Sequence, residues 1–162
     1  MIKQNQMERV ETVLVVLSAK AIVYDMAVLR QKIRMAYLQS MVFFRTTSGA
    51  PIGPTPQQEQ VDLLIDLTAP GSRQGVFLAK KFRRSARFAV GRNVGFFRKR
   101  IYDRVFDEKS HLKDLPQDSI DREAIVQAKI LALAGIAMVP TSKTTEDRAH
   151  TIALELPPLS NA

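Results

Sequence analysis

Two aspartates share the run Val61-Asp-Leu-Leu-Ile-Asp-Leu67, which is followed by Thr68 and the turn Ala69-Pro-Gly-Ser72. The run is apolar apart from its two carboxylates, and proline and glycine bound it. It reads as a buried strand whose end delivers Asp66 to a functional edge. A carboxylate placed there can take a proton from a substrate hydroxyl, if it lies within hydrogen-bond reach. Asp25 is the second carboxylate weighed for that work. Both are weak candidates, and no catalytic residue is assigned from the sequence.

The next chemistry-bearing feature is positive charge. From Lys80 to Arg104 there are ten basic residues and one acidic residue, Asp103. Phe82, Phe88, Phe96, Phe97 and Tyr102 are interleaved with them. Guanidinium and ammonium groups neutralise phosphates, and aromatic faces stack on sugars or bases. Phe82 and Phe88 are expected in the core. Phe96 and Phe97, beside Arg98, Lys99 and Arg100, are expected to form a contact surface. The candidate ligand-binding set is Arg73, Arg92, Arg98, Lys99 and Arg100, most of it on a basic loop over 92–100.

The elements that must position these residues follow from the apolar pattern. Thr12–Ser18 is β-branched and apolar without alternation, as in a strand buried on both faces. Ala19–Tyr37 has Ile22, Met26, Leu29 and Ile33 at helical spacing. Met41–Arg45 is a second strand, and Thr46–Gln60, with two glycines and three prolines, is loop. Val61–Leu67 is the third strand, and Ser72 caps a helix over Arg73–Arg84. Ala86–Val90 is a fourth strand closed by Gly91, which is assigned to a turn along with Gly95. Ile101–Phe106 is a fifth strand. Asp118 or Ser119 caps a helix reaching Ala134, with Asp121 and Glu123 in its first turn and Gly135 just past its end. Thr151–Leu156 is a last strand before Pro157-Pro158. Strands alternating with helices predict an α/β domain of three layers with a mostly parallel sheet. The expected organisation is a polar N-terminal tail at 1–11, a single domain at 12–158 and a C-terminal tail at 159–162.

Bulk properties narrow the chemistry. With 46% hydrophobic and 25% charged residues, the 162-residue chain is globular in composition and long enough for a real core. Its net charge of +8 favours anionic partners. Cysteine is absent, which excludes disulfides and thiolate metal sites. His111 and His150 lack metal-ligand spacing, so no metal is expected. No Gly-x-Gly-x-x-Gly and no P-loop follows any strand, so no cofactor is expected. Asp66 with its Thr-Ala-Pro-Gly turn superficially matches the phosphoacceptor strand of receiver domains. Their acidic magnesium cluster is replaced here by Ser18-Ala19-Lys20. The apolar run Val13–Leu17 is too short to cross a bilayer. The chain is expected to be cytoplasmic, or at the inner face of the membrane as a peripheral protein.

Several stretches together resemble the N-terminal domain of bacterial glycosyltransferase family 9, the heptosyltransferases of lipopolysaccharide core assembly. Val13–Ala19 with Val28-Leu29-Arg30 and Tyr37 is similar to that family's first strand and helix. Val61–Leu67 is similar to its YDLVIDL strand. Arg73 with Val76–Ala79 resembles its helix carrying a basic residue and ALLA, and Ala86–Arg92 its RIGF strand. Ile130–Ile136 and Leu154–Pro157 resemble its later helix end and the segment leading into a second domain. The resemblance implies a Rossmann-like fold, one half of a GT-B glycosyltransferase. It also implies an anionic glycolipid acceptor, phosphorylated Kdo-lipid A, with ADP-heptose held by a second domain. The family's proposed base lies in a Gly-Asp-Val turn, where this chain has Ala21-Ile22-Val23. Asp25 lies three positions on, about 300° round a helix.

The expectation is therefore a stand-alone, non-catalytic glycosyltransferase-like domain binding an anionic glycan, a glycolipid or a partner protein. A fragment of an active heptosyltransferase completed by a separate donor domain is one alternative. The other is a basic ribonucleoprotein accessory that binds RNA phosphates.

Overall fold

A computed structural model describes residues 10–18, 23–48, 51–52, 60–93 and 100–140. In chain order the elements are β1 (Thr12–Leu17), α1 (Met26–Ala36), β2 (Met41–Thr46), β3 (Pro51–Ile52), β4 (Leu63–Asp66), α2 (Arg73–Arg83), β5 (Phe88–Arg92), β6 (Arg104–Phe106) and α3 (Ser119–Leu133), with a 3-10 turn at Glu108–His111 before α3. The sheet order is β3-β2-β1-β4-β5-β6. The pairings β1–β2, β1–β4, β4–β5 and β5–β6 are all parallel, and only the two-residue β3 runs antiparallel, against β2. This is a three-layer, Rossmann-like α/β domain with a mostly parallel sheet.

Burial explains the unbroken apolar runs. Val13, Val15 and Leu17 of β1 pack with Leu29 and Ile33 of α1 and with Val126 and Ile130 of α3. Leu14 and Val16 face the other way, against Leu78, Ala79 and Phe82 of α2. A strand covered on both faces has no reason to alternate. β4 does the same with Leu63 and Ile65 on the first side and Leu64 on the second.

The helix ends are set by short polar side chains. The helix expected over 19–37 begins at Met26, because Asp25 caps it: Oδ1 accepts from the amides of Ala27 (2.7 Å) and Val28 (3.1 Å). Residues 19–22 lie outside the described ones. Ser72 caps α2 through the Gly75 amide at 2.9 Å, and Asp118 caps α3 through Ile120 at 2.9 Å and Asp121 at 3.0 Å. Beyond α3, Gly135 adopts φ 77°, the left-handed conformation that its missing Cβ permits. There the Ile136 amide donates to the Leu131 carbonyl and the Gly135 amide to that of Ala132, both at 3.0 Å, which satisfies the last carbonyls of the helix.

Three expectations shift. The fourth strand occupies Phe88–Arg92, so Arg92 closes a strand and does not open a loop. The segment read as loop over 46–60 contributes Thr46 to β2 and all of β3. The expected strand at 151–156 lies outside the described residues.

Two tyrosines flanking α1 tie it to α3. Tyr24 donates its hydroxyl to the Ala124 carbonyl at 2.6 Å, and buried Tyr37 donates to the Ala134 carbonyl. Burial pushes the Tyr37 phenol above its ordinary value of 10.0, and the nearby Arg104 cation acts in the opposite direction. A phenol raised in the folded state contributes stability that is intact below its unfolded pKa. That stability is lost as pH climbs from there through the folded pKa. Tyr37→Phe is expected to cost about 1 kcal/mol at neutral pH. It should also flatten the fall in stability above pH 10.0, as read from urea unfolding at both conditions.

Candidate functional site

β1 and β4 lie side by side at the centre of the sheet, but their connections diverge. After β1 the chain crosses through α1 to β2 on one side. After β4 it crosses through α2 to β5 on the other. Ligands of open parallel sheets bind at such a switch point, beyond the carboxyl ends of the strands. Here that edge carries Ser18 after β1 and the turn Leu67–Ser72 after β4. The two are stitched together: the Leu67 amide donates to the Val16 carbonyl at 2.9 Å, and the Ala69 amide to Ser18 Oγ at 2.9 Å.

Asp66, the last residue of β4, is completely buried. Its Oδ1 accepts from the Thr68 amide at 2.9 Å and from Thr68 Oγ1 at 2.5 Å. Its Oδ2 accepts the hydroxyl of Tyr102, which reaches in from the connection between β5 and β6. The neighbours are fitted closely around this group. A Cβ on Gly91 would lie 2.6 Å from the Tyr102 ring, and one on Gly75 would lie 2.3 Å from Thr68 Oγ1. Gly91 therefore serves a close approach inside β5 and not the turn expected of it. Asp66 is closed off from solvent and bonded to Thr68 and Tyr102, so the carboxylate acts as a clamp on the turn. Asp25 opens onto solvent at the same edge, with Oδ1 committed to the α1 cap.

The candidate cations do not converge. Arg73 is exposed at the start of α2, on the switch-point edge. Arg92 is fully buried and turns toward α3. It pairs with Glu123 and, through Nη1, lies 3.6 Å from Glu108 Oε2. Glu108 also takes Arg122 Nε at 2.8 Å, and Glu123 accepts from the Gln127 amide nitrogen at 3.0 Å. Burying a guanidinium is costly unless carboxylates surround it, as they do here. Glu123, expected to serve the helix dipole from the first turn of α3, is instead the partner of Arg92. Arg98 and Lys99 lie outside the described residues, as do Phe96 and Phe97. Arg100 is exposed beside Ile101, whose carbonyl accepts Arg83 Nε at 2.8 Å near the far end of α2. Arg73 and Arg100 thus sit toward opposite ends of a helix roughly 16 Å long.

Between those ends runs a feature the loop-centred reading missed. Arg73, Lys80, Lys81 and Arg84 are all exposed along the outward face of α2, around the exposed ring of Phe77. The helix contains no acidic residue. Stepping about 100° per residue brings all five onto one stripe. That signal was present in the sequence as helical spacing within the basic segment. The roles of Tyr102 and Thr68 carried no such periodic signal.

Among the described residues, no group of three or more His, Cys, Asp or Glu side chains is arranged to hold a metal ion. No helix among them is long and apolar enough to cross a membrane. Comparison with protein-family models, curated proteins and solved structures gives no match.

The Arg92 network makes a quantitative prediction. Arg92→Leu leaves the Glu123 carboxylate facing a packed interior, which is expected to cost about 3–5 kcal/mol. Adding Glu123→Leu should recover much of that loss. Urea unfolding of the two single variants and the double variant checks both.

Proposed function

We propose that this chain is a glycosyltransferase-like domain that binds an anionic glycan or glycolipid and does not itself catalyse transfer. The observation that carries the reading is the cationic stripe of α2, which begins with Arg73 on the ligand-binding edge of a Rossmann-like sheet. Phosphate groups on a sugar head would meet Arg73 at that edge, where the N-terminus of α2 also favours negative charge. Phe77 offers an apolar ring to a sugar face among the cations. The two aspartates that a transfer reaction would call on are engaged in holding backbone, Asp66 at the turn and Asp25 at the α1 cap. The resemblance to heptosyltransferase acceptor domains makes a phosphorylated lipid A precursor the first ligand to try. A partner subunit carrying the donor site is compatible with the same edge.

The stripe also favours a second reading, an RNA-phosphate surface. A linear array of cations over roughly 16 Å of helix suits a repeating polyanion.

Titration with a phosphorylated lipid A precursor and with a homopolymeric RNA separates the two. The proposal expects saturable glycolipid binding that weakens by about tenfold in Arg73→Ala, roughly 1.4 kcal/mol. RNA binding with a steep salt dependence, lost when Lys80, Lys81 and Arg84 are replaced by glutamate and without glycolipid binding, would overturn it in favour of the second reading. Transfer of sugar from ADP-heptose by this chain alone would overturn the non-catalytic part.

A further inference from the structure

α1 is an ordinary amphipathic helix on its inner side and an unusual one on its outer side. Leu29 and Ile33 are buried against the sheet. The side turned fully away from them should be polar in a helix that faces only water. Here it carries Val28 and Met35, which are 42% and 64% exposed, and Leu38, just past the Tyr37 cap, is 80% exposed next to Met35. Ala27 and Gln31 complete this strip. At about 100° per residue, exposed Arg34 flanks it on one side and exposed Lys32 on the other, with Arg30 half-buried beside Arg34, its guanidinium 5.2 Å over the Phe44 ring. No acidic residue occurs between Met26 and Met41. Arg30, Arg34, Met35 and Leu38 border a shallow, open depression along the helix. The strip is therefore apolar along its middle, with cations on both shoulders.

From this arrangement we infer that the outer face of α1 docks on an anionic bilayer surface. An apolar crest enters the boundary between headgroups and acyl chains. Lysine and arginine side chains on its shoulders extend sideways to meet lipid phosphates. The fit is one of charge as well as hydropathy: the exposed cations Lys32 and Arg34, with no carboxylate between Met26 and Met41, select a negatively charged leaflet. The inference does not rest on the reading of α2, which covers the opposite face of the sheet.

The chain contains no tryptophan, so Leu38→Trp places a single reporter on the crest. Titration of the full chain with vesicles of equimolar phosphatidylcholine and phosphatidylglycerol should shift its emission to the blue. Phosphatidylcholine vesicles alone should give little shift. Met35→Ser with Leu38→Ser, and separately Lys32→Glu with Arg34→Glu, should each weaken vesicle co-sedimentation by about tenfold or more. Thermal unfolding should be nearly unchanged, because all four side chains are exposed. The inference is overturned if the reporter shows no shift. It is overturned equally if vesicle binding survives both α1 double variants and is lost when Lys80, Lys81 and Arg84 are replaced by glutamate. Concentration-dependent self-association that disappears in the Met35→Ser, Leu38→Ser variant would assign the face to a second copy of the chain and overturn it as well.

Discussion

The buried carboxylate of Asp66 is the constraint around which the switch-point end of the sheet is assembled. It ends β4 at the centre of the fold and receives donors from two directions. Thr68 holds the turn that follows, and Tyr102 closes over it from the β5–β6 connection. Each donor needs space that a neighbouring glycine leaves open: Gly75 for Thr68 and Gly91 for Tyr102. Removing the carboxylate would take from a buried phenol and a buried hydroxyl the acceptor they share. Asp62 does similar work at the opposite edge, where its Oδ2 accepts the amides of Glu11 and Thr12 at 2.8 and 3.1 Å. The two carboxylates of one short run thus hold backbone at both ends of the central strands.

Around that centre, charge is separated by depth. Arg92 is inside, where Glu123 and Glu108 compensate it and join β5 to α3 and to the 3-10 turn. Tyr24 and Tyr37 join α1 to the same helix. These bonds leave α1 and α2 as the outermost layers on opposite faces, and both turn cations outward without acidic partners in their own sequences. The rigidity of the middle layer fixes the relative orientation of these two surfaces.

Much of the fold was legible because double-sided burial leaves an unmistakable mark. Val13–Leu17 and Leu63–Ile65 could be read as central parallel strands from their unbroken apolar runs. Ser72, Asp118 and Gly135 could be read as helix ends from side-chain chemistry. Where the reading slipped, tertiary contact outweighed local pattern. Ile22 extended the helical spacing of α1 on paper, yet Asp25 caps the helix at Met26. Gly91 looked like a strand stop because glycine so often marks turns, whereas its role is to admit the Tyr102 ring. That misreading moved Arg92 into a loop and gave it to a ligand, when its partners are two glutamates more than a dozen residues away in sequence. Ion pairs and hydroxyl-to-carboxylate bonds over such separations have no periodicity to betray them. The cationic stripe of α2 did have one, at helical spacing.

Asp66 is committed to structure, and a double-mutant cycle between Asp66→Asn and Tyr102→Phe measures that commitment. Unfolding free energies of the parent, the two single variants and the double variant give the coupling between the side chains. The structure predicts a coupling of about 1–3 kcal/mol. Additive losses, with no coupling, would contradict it and return Asp66 to the residues that could serve a substrate.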